Sequence, residues 1–266
     1  MNLRQNFKNK KRIVIKVGTS TLSYKNGGLN FRSIEKISSI LYELRSRGYE
    51  ITLVSSGAIG VGAGRVGLTE KPKEMAKKQA LAAIGQAELM RIYQRFFDVY
   101  NQNVAQVLLT KDIMVNDYKF KNARNTMETL LKMGIIPIIN ENDTIATYEI
   151  EIGDNDTLSA MVAKLIQADL LILMSDIDGL YTADPKTDKN AKIISTVEEI
   201  TPEIENLATG AGSSFGTGGM VTKITAAKIC REAKIDTIIT NGANPSVLFD
   251  ILEGKNVGTH FLGEKK

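Results

Sequence analysis

Short, nearly unbroken apolar runs alternate along the chain with longer stretches of helical spacing, and this alternation constrains the fold more than any other feature. "RIVIKV" (12–17), "EITLVSS" (50–56), "VAQVLLT" (104–110), "IIPIIN" (135–140), "DLLILMSD" (169–176) and "DTIITNG" (236–242) read as strands. Helical patterns lie near 33–47, 74–100, 122–132, 157–167, 219–233 and 245–252. Strands that are apolar on both faces suit a parallel sheet covered by helices on each side. The pattern predicts an α/β fold, a three-layer α/β/α sandwich with a mainly parallel central sheet. No low-complexity segment, Pro/Gly/Ser linker or clear internal repeat divides the 266 residues, so a single domain is expected.

Composition narrows the chemistry. With 34 basic and 30 acidic residues the net charge is +4, a mild excess that suits an anionic substrate. It falls short of the basic stripe of a nucleic-acid binder, so no nucleic acid is expected. A lone cysteine, Cys230, makes neither an intramolecular disulfide nor a zinc site. The N-terminal apolar run, Ile13 to Ile15, is too short for a signal-peptide core. No run approaches the roughly 20 apolar residues of a membrane span. A cytoplasmic protein without a membrane partner is therefore expected. Histidine occurs once, at His260, so histidine acid–base and metal–histidine chemistry have little to work with. The work falls to lysines, carboxylates and backbone dipoles, and no metal site built from protein ligands is expected.

In sheets of this kind ligands bind beyond the carboxyl ends of the strands. The text there is "KVGTST", "SSGAIGVGAG", "INENDT", "SDIDGLYTADP" and "TNGAN", all rich in Gly, Ser, Thr, Asn and Asp. Lys16 ends the first strand, where its charge needs a partner unless it reaches solvent. "GDNDTLSAM" puts Asp154, Asn155 and Asp156 at a helix start; capping needs only one of them, and the others can hold cations or a ligand amine. "INENDT" supplies Asn140, Glu141, Asn142 and Asp143, or is a solvated turn. Ser55 and Ser56 precede glycines 57, 60, 62 and 64, whose N–H groups can bind a carboxylate or phosphate if exposed. "SSFGTGGMVTKITAAK" places Gly216, Gly218 and Gly219 ahead of Lys223 and a helix, either a flexible loop or a phosphate loop. It is not the common G-x-x-x-x-G-K-[ST] loop, because no glycine directly precedes Lys223. Two lysines, a helix-start aspartate and glycine loops suit phosphoryl transfer, which needs positioning and charge neutralisation. A carboxylate acceptor, with a free pKa of about 4.3, would need no general base.

Nine stretches occur in an order that resembles the amino acid kinase family, within it the branch that phosphorylates glutamate. They are "VIKVGTSTL", "VSSGAIGVG", "KQALAAIGQ", "NARNTMETLL", "IINENDTIA", "GDNDTLSA", "SDIDGLYTADP", "GTGGMVTK" and "NVGTHFLGE", spanning about residues 11 to 263. The resemblance implies ATP-dependent phosphorylation of the side-chain carboxylate of L-glutamate, with Mg2+ accompanying ATP, as the first step towards proline. By matching motif positions it implies catalytic roles for Lys16, Asp156 and Lys223, with Asp156 organising the two lysines. Glutamate would be held by Ser56, Gly57, Asn140, Asp143 and Asn155. ATP would be held by Lys16, Ser175, Asp176 and the run Thr217, Gly218, Gly219, Met220, Val221, Thr222 and Lys223. It further implies a glutamate-binding lobe over about 1–173 and an ATP-binding lobe over about 174–266.

Many relatives carry a C-terminal PUA domain, for which the 266 residues leave no room, so a kinase domain without one is expected. Ile152 stands where an aromatic residue is common in relatives. Relatives suggest dimers or tetramers. Residues 78–100 form either an interface helix or a core helix, and free proline is an expected inhibitor. Aspartate or carbamate kinases would share the lysines but not "NENDT" and "SSGAIG". A uridylate kinase would need a further arginine cluster near "INENDT". A catalytically inert relative would have lost Lys16, Asp156 or Lys223, and all three are present.

Overall fold

The computed structural model describes residues 3–24, 28–68, 72–145, 155–209 and 219–264. In chain order its strands are β1 (Arg12–Val17), β2 (Glu50–Ser55), β3 (Val104–Leu109), β4 (Ile136–Glu141), β5 (Leu170–Ser175), β6 (Thr196–Val197), β7 (Asp236–Asn241) and β8 (Thr259–Phe261). Its α-helices are α1 (Thr19–Leu22), α2 (Phe31–Ser46), α3 (Ala58–Arg65), α4 (Met75–Asp98), α5 (Asp117–Lys132), α6 (Asn155–Leu165), α7 (Pro202–Thr209), α8 (Met220–Glu232) and α9 (Val247–Leu252). The expected architecture, a mainly parallel sheet flanked by helices, is the observed one. The chain forms two compact units, one of Val17–Asn155 and one of Met1–Lys16 with Asp156–Lys266.

In the Val17–Asn155 unit, β2 and β3 each pair in parallel with β4, so the strand order is β3-β4-β2. Every residue of β4 is buried, including Asn140 and Glu141 at its carboxyl end. α2 buries Ile34, Ile37, Leu41 and Leu44, the spacing of one helical face, and Asn30 caps it by accepting from the Ser33 N–H at 3.1 Å. The expected loop "SSGAIGVGAG" is a loop only to Gly57. That residue has φ +102°, which favours glycine, and glycines 60, 62 and 64 lie inside α3. The reason is packing. A Cβ on Gly85 of α4 would sit 1.8 Å from the Ala58 carbonyl oxygen, and one on Gly62 would sit 2.0 Å from that of Leu81. These glycines let the helix backbones touch. α4 buries Leu81, Leu89, Ile92, Tyr93 and Phe97, so one face of this long helix is core.

In the other unit the strand order is β1-β5-β7-β8-β6, with β5 and β7 parallel in register from Leu170↔Asp236 to Ser175↔Asn241. β7 and β8 are antiparallel, while β6 and β8 are parallel. β5 is buried along its whole length, which explains its unbroken apolar sequence. The Asp169 carboxylate accepts from the N–H groups of Lys11 and Arg12 at 2.8 and 2.9 Å, and the Asp169 N–H donates to the Arg12 carbonyl at 2.8 Å. β1 up to Lys16 thereby belongs with β5. The units consequently part at Lys16/Val17 and Asn155/Asp156, whereas the lobe boundary expected near residue 173 lies inside β5.

The helix contact in the first unit has a measurable consequence. Gly85→Ala is expected to cost about 2–3 kcal/mol in denaturant unfolding, by overpacking against backbone that cannot move aside. Ile84→Val, at a neighbouring position 41% exposed, is expected to cost under about 0.5 kcal/mol.

Candidate active site

Within the Met1–Lys16 and Asp156–Lys266 unit, three charged side chains converge in the interior. Lys16 comes from β1, Asp156 from the first turn of α6 and Lys223 from the first turn of α8; they are 6%, 0% and 7% exposed. Lys16 Nζ lies 2.6 Å from Asp156 Oδ1, and Lys223 Nζ lies 2.9 Å from Asp156 Oδ2. The Thr222 hydroxyl is 3.1 Å from Asp156 Oδ2 and 3.0 Å from the Gly219 carbonyl. Burial by itself would raise the Asp156 pKa; the charges of Lys16 and Lys223, and their hydrogen bonds, outweigh it and hold the carboxyl at about 2. Two ammonium groups sharing one carboxylate leave the trio with an excess positive charge. Buried charge is costly without a counter-charge, so the arrangement suits an anionic ligand.

Lys223 also lines a cavity of about 530 Å3, in the size range of small-ligand pockets. Ser175, Asp176, Leu180, Gly219 and Met220 contribute to its wall. Ser175 ends β5; its hydroxyl donates to Asp176 Oδ1 at 3.1 Å, and its carbonyl accepts from the Gly242 N–H at 2.7 Å. Asn241 Nδ2 donates to Asp178 Oδ1 at 2.8 Å, so the carboxyl ends of β5 and β7 are linked at the cavity. The cavity thus combines an apolar wall, hydroxyls and a lysine.

The Val17–Asn155 unit holds a second, uncharged cluster. Asn155 Nδ2 donates to the Ser55 carbonyl at 3.0 Å, to Ser56 Oγ at 2.9 Å and to Asn140 Oδ1 at 2.9 Å. Asn140 Nδ2 donates to Gln86 Oε1 at 2.9 Å, and Gln86 Nε2 donates to Gln106 Oε1 at 3.1 Å. The Ser55 hydroxyl is 3.0 Å from that of Tyr93, whose pKa is pushed up by complete burial despite this hydrogen bond. Asp143 is half-buried in the turn that follows β4.

Lys16, Asp156 and Lys223 thus come together, as do Ser56, Asn140 and Asn155, with Gly57 next to Ser56 in the chain. Ser175, Asp176, Gly219 and Met220 line one cavity with Lys223, and Thr222 touches Asp156. The Val221 side chain is 48% exposed and does not line that cavity. Thr217, Gly218 and Ile152 lie outside the described residues. Gln86, Tyr93 and Gln106 join the uncharged cluster although no sequence motif assigns them to it. The readable signal was a glutamine on the apolar face of α4, at the end of "KQALAAIGQ". His260 is buried on β8, with Nε2 3.4 Å from Asp236 Oδ1, and lines neither cluster. Among the described residues no group of three or more His, Cys, Asp or Glu side chains could hold a metal ion. No helix among them is long and apolar enough to cross a membrane.

Comparison with known proteins identifies the family and the fold. The profile of the amino acid kinase family matches residues 11–241. The chain is 54% identical over 268 residues to glutamate 5-kinase of Listeria innocua, covering 99% of this chain and 97% of that one. It is 53% identical over 267 residues to glutamate 5-kinase of Clostridium perfringens, covering 99% of each. Among solved structures, carbamate kinase from Giardia lamblia bound to AMP-PNP superposes with a TM-score of 0.67 at 20% identity, covering 97% of this chain and all of that one (100%). UMP kinase from Ureaplasma parvum gives 0.66 at 17% identity, covering 95% and 99%. These structures share the fold.

The Asp156 environment makes stability depend on pH. Its pKa lies below the unfolded value of 3.8, so its contribution is complete above that value and is lost as pH falls towards about 2. Asp156→Asn is expected to be less stable than the parent at pH 6, and the gap is expected to shrink by about 2 kcal/mol between pH 5 and pH 2. A gap that stays constant in urea unfolding across that range would contradict the charge assignment.

Proposed function

The chain belongs to the amino acid kinase family, and from that premise and the charged trio we propose that it transfers the γ-phosphoryl group of ATP to the side-chain carboxylate of L-glutamate. The product is L-glutamyl 5-phosphate, an intermediate on the route to proline. The observation that carries the reading is the buried Lys16–Asp156–Lys223 arrangement, an excess of positive charge with no histidine beside it.

A side-chain oxygen of glutamate attacks the γ-phosphorus in line, and the bond from that phosphorus to the β,γ-bridging oxygen breaks. ADP takes the bonding pair. The acceptor is already ionised at neutral pH, its free pKa being about 4.3, so no side chain has to remove a proton. Lys16 and Lys223 neutralise charge on the transferring group and on the leaving oxygen. Asp156 keeps the two ammonium groups apart and aimed, and its low pKa keeps it ionised throughout. Ser175, Asp176 and the run from Gly219 to Lys223 hold the nucleotide, with Thr217 and Gly218 preceding that run. Mg2+ would accompany the ATP phosphates and supply further neutralisation of their charge beside Lys16 and Lys223.

Ser56, Gly57, Asn140, Asp143 and Asn155 form the glutamate pocket in this reading. Asn155 and Asp156 are consecutive residues, so one peptide bond joins the acceptor set to the charged trio. Free proline, with an α-carboxylate and an amine of its own, competes for the same pocket. The rate at subsaturating glutamate is accordingly expected to fall as millimolar proline is added; a flat rate would remove proline as a ligand.

With Mg-ATP, glutamate is expected to exceed aspartate by about 10–200-fold in kcat/KM, the worth of one methylene in a fitted pocket. Faster turnover of aspartate or carbamate would refute the assignment. Lys223→Ala is expected to lower kcat by about 10²–10³-fold while changing the KM for glutamate little, because its role lies in the transition state on the nucleotide side. A folded variant with near-normal kcat would take this lysine out of the mechanism.

A further inference from the structure

The relay from Gln106 through Gln86 and Asn140 to Asn155 has a single direction, dictated by groups that can only donate or only accept. The Glu141 N–H donates to Asn140 Oδ1 at 2.9 Å, so the Asn140 oxygen is fixed on that side. Its Nδ2 is then turned to Gln86, which must answer with Oε1, leaving Nε2 for Gln106. At the other end, the Ser55 carbonyl can only accept, so Asn155 must present Nδ2 to it. The same Nδ2 also serves Ser56 Oγ and Asn140 Oδ1. None of these bonds uses Asn155 Oδ1. The half-buried amide therefore offers an acceptor oxygen to a ligand.

We propose that Gln86 is a positioning residue for acceptor specificity: through Asn140 it reinforces the orientation that the Ser55 carbonyl sets for the Asn155 amide, with Oδ1 turned to the ligand, where it accepts a hydrogen bond from the α-ammonium of glutamate. The proposal rests on the reading of Asn155 as part of the glutamate pocket. Gln86 is 7% exposed, and the crossing at Gly62 and Gly85 seats the residue before it against α3. Its bond spans 54 residues in sequence, and it is the contact by which α4 holds Asn140. Without that acceptor the Asn140 Nδ2 is a buried donor lacking a partner on that side. It recovers one only by rotating, which withdraws Oδ1 from Asn155. The affected property is recognition of the ammonium. Neither the nucleotide nor the side-chain carboxylate depends on it.

Glutarate, which is glutamate without its amine, separates this role from a general loss of structure. In Gln86→Met the KM for glutamate is expected to rise at least about tenfold, with kcat, the KM for ATP and the inhibition constant of glutarate within about twofold of the parent. Gln86→Glu keeps an oxygen towards Asn140 and is expected to restore the glutamate KM to within about threefold of the parent. If Gln86→Met does not fold, Gln106→Leu, at an exposed position on β3, tests the same relay. It is expected to raise the glutamate KM about threefold with glutarate unchanged. Parallel weakening of glutamate and glutarate, an unchanged glutamate KM in the variant tested, or a Gln86→Glu protein no better than Gln86→Met would each overturn the proposal. A parent protein that does not phosphorylate glutamate would instead strike the functional reading, so the two failures are distinguishable.

Discussion

The structure depends on one carboxylate shared by two ammonium groups. Asp156 is fully buried and meets Lys16 and Lys223 at 2.6 and 2.9 Å. Three elements far apart in sequence, β1, α6 and α8, must all be in place for that contact to form. An isolated buried charge of either sign would be intolerable, and the pairing makes it affordable only in part. The excess positive charge of the three groups suits a ligand that brings negative charge of its own. In the proposed reading a triphosphate supplies it, and charge neutralisation is what phosphoryl transfer asks of a protein.

Around that contact the labour is divided by unit. The charged chemistry belongs to the unit containing β1 and β5, together with the cavity beside Lys223. The unit containing β4 holds an uncharged, directional network of amides and hydroxyls, suited to sorting ligands by hydrogen-bond pattern. Polar groups buried on β4 and α4 are expensive unless every donor is matched, and the one-way relay through Gln86 is how they are matched.

Much of this was legible in the sequence. Continuous apolar runs mark six of the eight strands among the described residues to within a residue or so, because parallel strands covered on both faces leave few polar positions. β6 and β8 are too short, at two and three residues, to leave a periodic signal. The glycines of α3 signal turns locally, whereas in the fold they answer a tertiary demand, the close approach of α4. Lys16, Asp156 and Lys223 stood out because each is an ionisable residue at the end of an apolar strand or the start of a helix. Gln86 did not stand out. Its place on the apolar face of α4 is the one mark the sequence carries; that it meets Asn140, 54 residues away, appears only in the fold.

The most direct test of the central claim is a binding measurement with a mimic of the transferring group. By calorimetry, the dissociation constant of ADP with aluminium fluoride, glutamate and Mg2+ is compared with that of ADP alone, in the parent protein and in Lys16→Ala and Lys223→Ala. If the trio acts on the phosphoryl group in transit, each substitution weakens the fluoroaluminate complex by about 100-fold or more, and ADP alone by far less. Equal weakening of both complexes, or none of either, would contradict the account.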